Sequence, residues 1–167
     1  MPQPESASTP IVIRPAKATD VTEILAFIRE LAEYERLAHT VETTEDHLRK
    51  ALFGESPAAE ALMAELDGKA VGWALFFTTF STFKGLPGIY VEDIYVRPPA
   101  RGQGVGKALL RRIAQLAVKR GCGRVEWAVL DWNEPSIQFY RGVGAEPLDE
   151  WTTYRLTGDS LKQLANT

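Results

Sequence analysis

A glycine-rich stretch between a predicted strand and a predicted helix constrains the fold of this chain most. Arg101-Gly-Gln-Gly-Val-Gly106 follows the apolar run Ile89–Val96 and precedes the helical apolar spacing of Leu109, Leu110 and Ile113. Glycines at such a junction let several backbone N–H groups converge on one point without side chains in the way. The following helix directs the positive end of its dipole at the same point. The stretch therefore predicts a strand–loop–helix unit that binds an anion, and a pyrophosphate fits it.

Two familiar phosphate-binding patterns do not match this loop. The dinucleotide-binding fingerprint needs a third glycine where Lys107 stands. The P-loop needs a glycine where Arg101 stands, and a serine or threonine where Ala108 stands. A turn without a ligand is the alternative, and the local excess of positive charge in a chain of formal net charge −3 disfavours it. The positive residues are Arg97, Arg101, Lys107, Arg111 and Arg112.

A second segment, Asp131–Tyr140 with the sequence DWNEPSIQFY, narrows the choice. With the loop, it resembles the GNAT N-acetyltransferase superfamily, and within it the spermidine/spermine and thialysine N-acetyltransferase subfamily. The resemblance spans about residues 11–165, which is nearly the whole chain. The other segments that carry it are Ile28–Glu35 (IRELAEYE), Phe53–Pro57 (FGESP) and Tyr90–Val96 (YVEDIYV).

The predicted elements indicate an α/β fold, an α+β mixed sheet flanked by helices. The fourth and fifth strands should be parallel because a helix crosses between them. The resemblance implies the GNAT fold, a mostly antiparallel sheet in which these two strands splay around the pantetheine arm of acetyl-CoA. Leu86-Pro87-Gly88 predicts a chain reversal, and Asp67-Gly68 a hairpin turn. The predicted strands are 11–14, 61–66, 70–78, 89–96, 125–130 and 153–157, and the predicted helices are 21–31, 44–52, 104–120, 136–141 and 159–164.

Composition predicts one globular domain over residues 11–167 of the 167-residue chain, after a flexible polar tail over residues 1–10. An acidic balance argues against a nucleic-acid partner, and no apolar run is long enough to cross a membrane. Two histidines are too few for a metal site without help, so no metal is expected. We expect a cytoplasmic protein, and the resemblance implies a homodimer.

The resemblance assigns the residues that would hold acetyl-CoA. Backbone N–H groups of the loop would bind the pyrophosphate with ionic support from Arg101, while main-chain groups of Ile94 and Val96 would pair with pantetheine like an added strand. Asn133 would hydrogen-bond the cofactor, or would only close its own turn. The loop residues are Arg101, Gly102, Gln103, Gly104, Val105, Gly106 and Lys107.

Acetyl transfer to an amine needs a base for the amine and an acid for the leaving thiolate. The resemblance places Glu92 as the base, through a water, and Tyr140 as the acid, with direct attack in a ternary complex. The alternatives are ordinary strand charges at Glu92 and Asp93 and a packing role for Tyr140. Because neighbouring strand residues face opposite sides, Glu92 and Asp93 are not expected to serve the same surface.

The amine side is predicted from acidic residues and from two departures from the polyamine enzymes. Glu30, Glu33, Glu35 and Glu42 could draw a cationic amine to the site. Ser81 and Thr152 stand where the polyamine enzymes carry acids, and the wording Ser-Thr-Phe-Lys-Gly resembles the thialysine branch. A short lysine-like amine is therefore favoured over spermidine. The candidate amine-binding residues are Glu35, Ser81, Phe83, Asp93, Thr152 and Tyr154.

Two other functions remain open at this point. One is acetylation of a protein N-terminus or lysine, which would need an open peptide groove. The other is a non-catalytic acyl-CoA sensor, which could keep the glycine loop without a base or an acid.

Overall fold

The computed structural model describes residues 10–167, so the flexible tail predicted for residues 1–10 lies outside the described residues except for Pro10. The chain divides into two compact units, one ending at Ala128 and the other covering Val129–Thr167. The single domain expected over residues 11–167 stays a prediction.

The first unit is built on a five-stranded mixed sheet with the strand order β1-β2-β3-β4-β5. Neighbouring strands are antiparallel up to β4, and β4 pairs with β5 in parallel. This confirms the predicted mixed sheet and its parallel pair. The strands are β1 (Val12–Pro15), β2 (Glu60–Leu66), β3 (Lys69–Ser81), β4 (Leu86–Val96) and β5 (Val125–Trp127).

Three helices accompany the sheet in this unit: α1 (Val21–Tyr34), α2 (Glu45–Phe53) and α3 (Val105–Lys119). The Thr44 side chain accepts a hydrogen bond from the backbone N–H of His47, which satisfies one of the orphan donors at the start of α2. The helix predicted over residues 44–52 is confirmed, within one residue at each end.

Apolar side chains fill both faces of the sheet. On one face α3 packs against strands β2 to β4, with Leu109 and Ile113 fully buried. On the other face α1 and α2 pack on the sheet, with Phe27 and Trp73 fully buried. Apolar strand residues therefore pack against helices on both faces of the sheet.

The turns between β2, β3 and β4 are partly as predicted. Asp67 and Gly68 have φ values of 50° and 70° and form the β2–β3 turn. The reversal predicted at Leu86-Pro87-Gly88 is wrong, because the second turn precedes Leu86, which already belongs to β4. Gly88 instead serves a close approach: a Cβ there would lie 2.8 Å from Oγ1 of Thr79.

The fifth strand is shorter than predicted. It ends at Trp127 rather than Leu130, after pairing Val125 with Ile89 and Trp127 with Val91. Because β4 continues to Val96, it loses its parallel partner before its own end. Residues Glu92 to Val96 of β4 are therefore not paired with β5, and the splay implied by the family resemblance stays a prediction.

The second unit contains two helices, α4 (Glu134–Gly142) and α5 (Gly158–Ala165). Both agree with the predicted helices. The strand predicted over residues 153–157 is wrong, since this segment is exposed and has no strand partner within the described chain. Backbone groups in a strand need a neighbouring strand to satisfy them, and β-forming residues alone do not supply one.

Candidate active site

The glycine loop takes the backbone conformation of an anion-binding site. Gly102 and Gly104 have φ values of 76° and 89°, in the left-handed region that favours glycine. Within residues 10–167, the backbone N–H groups from Gly102 to Lys107 have no hydrogen-bond acceptor, and the first helical bond runs from Ala108 N–H to the Gly104 carbonyl. The amides and the positive end of α3 thus meet at the loop, as pyrophosphate binding requires.

The side chain of Arg101 does not extend freely into this loop. Its Nε donates to the Val96 carbonyl at 2.8 Å. Its guanidinium lies 5.0 Å from the ring centroid of Tyr34 and 5.5 Å from that of Tyr95. Two residues predicted to bind the cofactor, Arg101 and Val96, therefore bind each other.

A β-bulge interrupts β4 next to the loop-bearing end. Leu75 of β3 pairs with Asp93, but the next residue, Phe76, pairs with Val91, so Glu92 is an extra residue in the ladder. A bulge breaks the strict alternation of faces along a strand. The expectation that Glu92 and Asp93 serve opposite surfaces therefore no longer follows from strand alternation and stays a prediction.

The bulge also changes which backbone groups point away from β3. Before it, Ile89 N–H donates to Arg124 at 3.1 Å and the Pro87 carbonyl accepts from Gly123 at 2.8 Å, so odd-numbered residues face the β5 side. After it, Arg97 N–H donates to Val71 at 2.9 Å, so an odd-numbered residue faces β3.

By the alternation of an antiparallel ladder, the main-chain groups of Ile94 and Val96 face the side that β5 has left. These are the main-chain groups predicted to pair with the pantetheine arm. Their presentation depends on the extra residue at Glu92, which sequence reasoning did not detect.

Three carboxyl groups, two of them at the bulge, interact electrostatically. Burial and the charges of Glu92 and Glu35 raise the pKa of Asp93 to about 6, and burial also raises the pKa of Glu35. Glu92 itself is exposed. Neither hydrogen bonds nor ion pairs join Asp93 to a cation among the described residues. Such a carboxyl cluster disfavours its own charge and would be relieved by a bound ammonium group.

Arg97 has a structural role that the sequence did not reveal. Its guanidinium forms ion pairs with Glu23 at 2.6 Å and Glu30 at 2.7 Å, and it lies 4.3 Å from the centroid of the Phe27 ring. Arg97 therefore ties the end of β4 to α1. Arg97 was counted among the cations around the loop and Glu30 among the acids that draw an amine, whereas the structure pairs them with each other.

The β3–β4 turn carries two candidate amine-binding residues with different environments. Ser81 is buried, and its Oγ accepts from Lys84 N–H at 3.3 Å while its carbonyl accepts from Gly85 N–H at 2.8 Å. Phe83 is 96% exposed. Ser81 thus stabilises the turn that contains the exposed Phe83.

The second unit holds the remaining candidates. Asn133 is buried immediately before α4; its N–H donates to the Leu130 carbonyl at 2.8 Å, and its side chain does not cap the helix. Tyr140 is half-buried on α4, next to Phe139 at 5.3 Å between ring centroids. Thr152 and Tyr154 are exposed.

Comparison with known proteins shows the family of this chain. The model of the Acetyltransferase (GNAT) family matches residues 24–145, and the chain belongs to this family. It is an acetyl-transferring enzyme, so the sensor alternative is set aside. Members of the family take the acetyl group from acetyl-CoA.

Relatives and a solved structure match nearly the whole chain. A bovine protein named thialysine N-epsilon-acetyltransferase is 41% identical over 93% of this chain and 97% of its own length. An L-ornithine N5-acetyltransferase of Arabidopsis thaliana is 34% identical over 91% and 86%. The structure of an integron cassette protein from the V. cholerae mobile metagenome has a TM-score of 0.78 at 25% identity, covering 94% of this chain and 98% of that one.

Two further observations concern metals and membranes. Within residues 10–167, His, Cys, Asp and Glu side chains form no group of three or more that could hold a metal ion. None of the helices in the same range has both the length and the apolar composition that crossing a bilayer requires. The absence of a metal from the reaction stays a prediction.

Asp93 should make the protein less stable as the pH rises. Its folded pKa of about 6 exceeds the ordinary value of 3.8, so its stabilising contribution is complete below pH 3.8 and is lost as the pH rises through 6. We expect Asp93→Asn to remove this loss, which at 1.36 kcal/mol per pKa unit is up to about 3 kcal/mol. Denaturant unfolding from pH 4 to 8 measures it. The exposed change Asp46→Asn is the control and should keep the wild-type slope; an equal slope in Asp93→Asn would contradict the assignment.

Proposed function

We propose that this protein transfers an acetyl group from acetyl-CoA to a small primary amine, with a lysine-like amino acid such as thialysine favoured over polyamines. The observation that carries the proposal is the left-handed glycine loop with its unpaired amides beside the open edge of β4. Family membership and the names of the relatives support it.

Acetyl-CoA, when bound, supplies a thioester whose carbonyl carbon is open to attack by an amine. The backbone N–H groups of the loop would donate hydrogen bonds to the pyrophosphate, and Lys107 would add a positive charge. The Ile94 and Val96 main chain would align the pantetheine arm along β4. Asn133 is assigned a hydrogen bond to the cofactor.

The acid and base roles are assigned to the exposed Glu92 and to Tyr140. Glu92 would take the proton of the attacking ammonium group through a water, so that the free amine forms its bond to the acetyl carbon. As the carbon–sulfur bond breaks, Tyr140 would give its phenolic proton to the thiolate. The nitrogen loses its second proton as the amide forms, and that proton restores the Tyr140 phenol through solvent. Glu92 releases the first proton to solvent, and no covalent enzyme intermediate is needed.

The amine would bind at the carboxyl cluster. Asp93 and Glu35 would face the ammonium groups, and the exposed ring of Phe83 would cover the aliphatic chain. Thr152 and Tyr154 are the remaining proposed amine-binding residues. The cytoplasmic location and the homodimer also stay predictions.

Acetylation of a protein N-terminus or lysine is the second candidate. No observation in the described residues favours it, and the relatives named above carry the names of small-amine acetyltransferases. A panel of amines that includes a lysine peptide would separate the two.

The cofactor assignment is tested by Gly104→Asp. The carboxylate would repel the pyrophosphate and fill the space beside the loop amides, so CoA binding measured by calorimetry should be abolished. A non-glycine residue at a φ of 89° costs about 1–2 kcal/mol, which a folded domain tolerates. Gly121→Asp, with a φ of 68° at the other end of α3, is the matched control and should bind CoA normally. Normal binding by Gly104→Asp would refute the site.

The acid and base assignments are tested by Tyr140→Phe and Glu92→Gln. Each should lower kcat by about 10²–10⁴-fold with little change in CoA affinity, because each removes one proton-transfer group. The loss in Glu92→Gln should shrink at high pH, where free amine is plentiful. Release of free thiol measures turnover. Tyr90→Phe is the control: it removes a phenol from β4, the strand that carries Glu92, and should retain activity. Wild-type rates in either variant would remove that residue from the mechanism.

The acceptor preference is tested by comparing kcat/KM for thialysine and spermidine. Thialysine should be the better substrate, because the acids of the polyamine enzymes are absent at Ser81 and Thr152. Ser81→Asp with Thr152→Glu should shift the preference toward spermidine. Asp at position 81 can keep the turn, since its carboxylate can accept from Lys84 N–H as the serine does. Thr82→Asp in place of Ser81→Asp controls for charge alone. A wild-type preference for spermidine would refute the acceptor assignment.

A further inference from the structure

We propose that Arg101 is a positioning residue with two alternative partners: the Val96 carbonyl when no cofactor is bound, and the pyrophosphate when acetyl-CoA is bound. Phosphate binding would thereby release the backbone edge on which pantetheine aligns. The inference rests on the proposed cofactor site, and its test is chosen to separate the two.

The first partner is seen directly. Arg101 Nε donates to the Val96 carbonyl at 2.8 Å, a charge-assisted hydrogen bond of good length. That carbonyl belongs to the stretch of β4 whose main chain faces away from β3 after the bulge at Glu92. Arg101 therefore occupies a group that an added pantetheine strand would use.

Aromatic rings from two elements hold the guanidinium in this place. Tyr34 at the end of α1 and Tyr95 on β4 lie 5.0 and 5.5 Å from it, within the range of a cation–π contact. Without a cofactor, the Arg101 side chain is therefore held by the Val96 carbonyl and by both rings together.

The second partner lies within reach along the chain. Arg101 is the residue immediately before the Gly102–Lys107 amides, which have no acceptor in the described chain. An arginine fork binds phosphate oxygens more strongly than a neutral carbonyl, so a pyrophosphate on these amides would draw the guanidinium from Val96. The phosphate end and the pantetheine end of one ligand would then bind cooperatively.

Arg101→Met tests this with two probes that differ in the phosphate. CoA carries the pyrophosphate, and pantetheine lacks it. In the variant we expect CoA to bind at least about tenfold more weakly, because a charged phosphate partner is lost. We expect pantetheine to bind about two- to tenfold more tightly, because the Val96 carbonyl is free. Calorimetry or NMR titration measures both dissociation constants.

Lys107→Met is the matched control, since it removes a positive charge from the same loop without touching Val96. It should weaken CoA and leave pantetheine unchanged. Weaker CoA with unchanged or weaker pantetheine in Arg101→Met would overturn the two-partner role and leave the cofactor site intact. Unchanged CoA binding in Arg101→Met would overturn the phosphate partner of Arg101, and Gly104→Asp would still test the site itself.

A second measurement uses the wild-type protein. ADP supplies a pyrophosphate without a pantetheine arm, so its binding should shift the ¹³C resonance of the Val96 carbonyl as Arg101 leaves. The same addition to Arg101→Met should leave that resonance in place. A resonance that ADP does not move in the wild type would also overturn the proposal.

Discussion

The extra residue at Glu92 in β4 is the constraint on which the rest of the first unit depends. Without it, the pairing rule that holds at Pro87 and Ile89 would direct the main chain of Asp93 and Tyr95, not of Ile94 and Val96, to the side left by β5. The bulge also lets Glu92 and Asp93 interact, which is part of the reason for the raised pKa of Asp93. One local insertion therefore places a backbone edge and a carboxyl cluster next to each other.

The end of β4 connects the proposed cofactor loop with α1, which ends next to the candidate amine-binding residue Glu35. Arg97, one residue past the strand, is tied to Glu23 and Glu30 of α1. Arg101, four residues further, contacts Tyr34 of the same helix. Glu35, a candidate amine-binding residue, follows Tyr34 directly, so Arg97 and Arg101 both contact the helix that ends next to it. These ion pairs are partly exposed to solvent, so each adds little net stability, and their main consequence is to fix the end of β4 against α1.

The sequence predicted most of the fold because its signals are local. Thr44 marked a helix start, Asp67-Gly68 marked a hairpin, and the Gly102–Gly106 spacing marked the loop. It did not predict what depends on neighbours across the sheet. Gly88 resembled a turn residue but avoids a clash with Thr79, and the segment 153–157 resembled a strand but has no partner. The contacts of Arg97 with Glu23 and Glu30 were missed for the same reason, because partners 74 and 67 residues apart leave no local pattern. The bulge was missed because it is defined only by the pairing of β4 with β3.

The ends of the sheet show how the fold limits association of one chain with another. Its outer strands are short, four residues in β1 and three in β5, and short edges offer little backbone for another chain to pair with. The longer stretch that lacks a strand partner on its β5 side, from Glu92 to Val96, has two acidic side chains at one end, and Arg101 binds its last carbonyl. Charge at an unpaired strand disfavours the addition of a foreign strand. The groups proposed to receive a cofactor and an amine would therefore also guard the empty enzyme against aggregation.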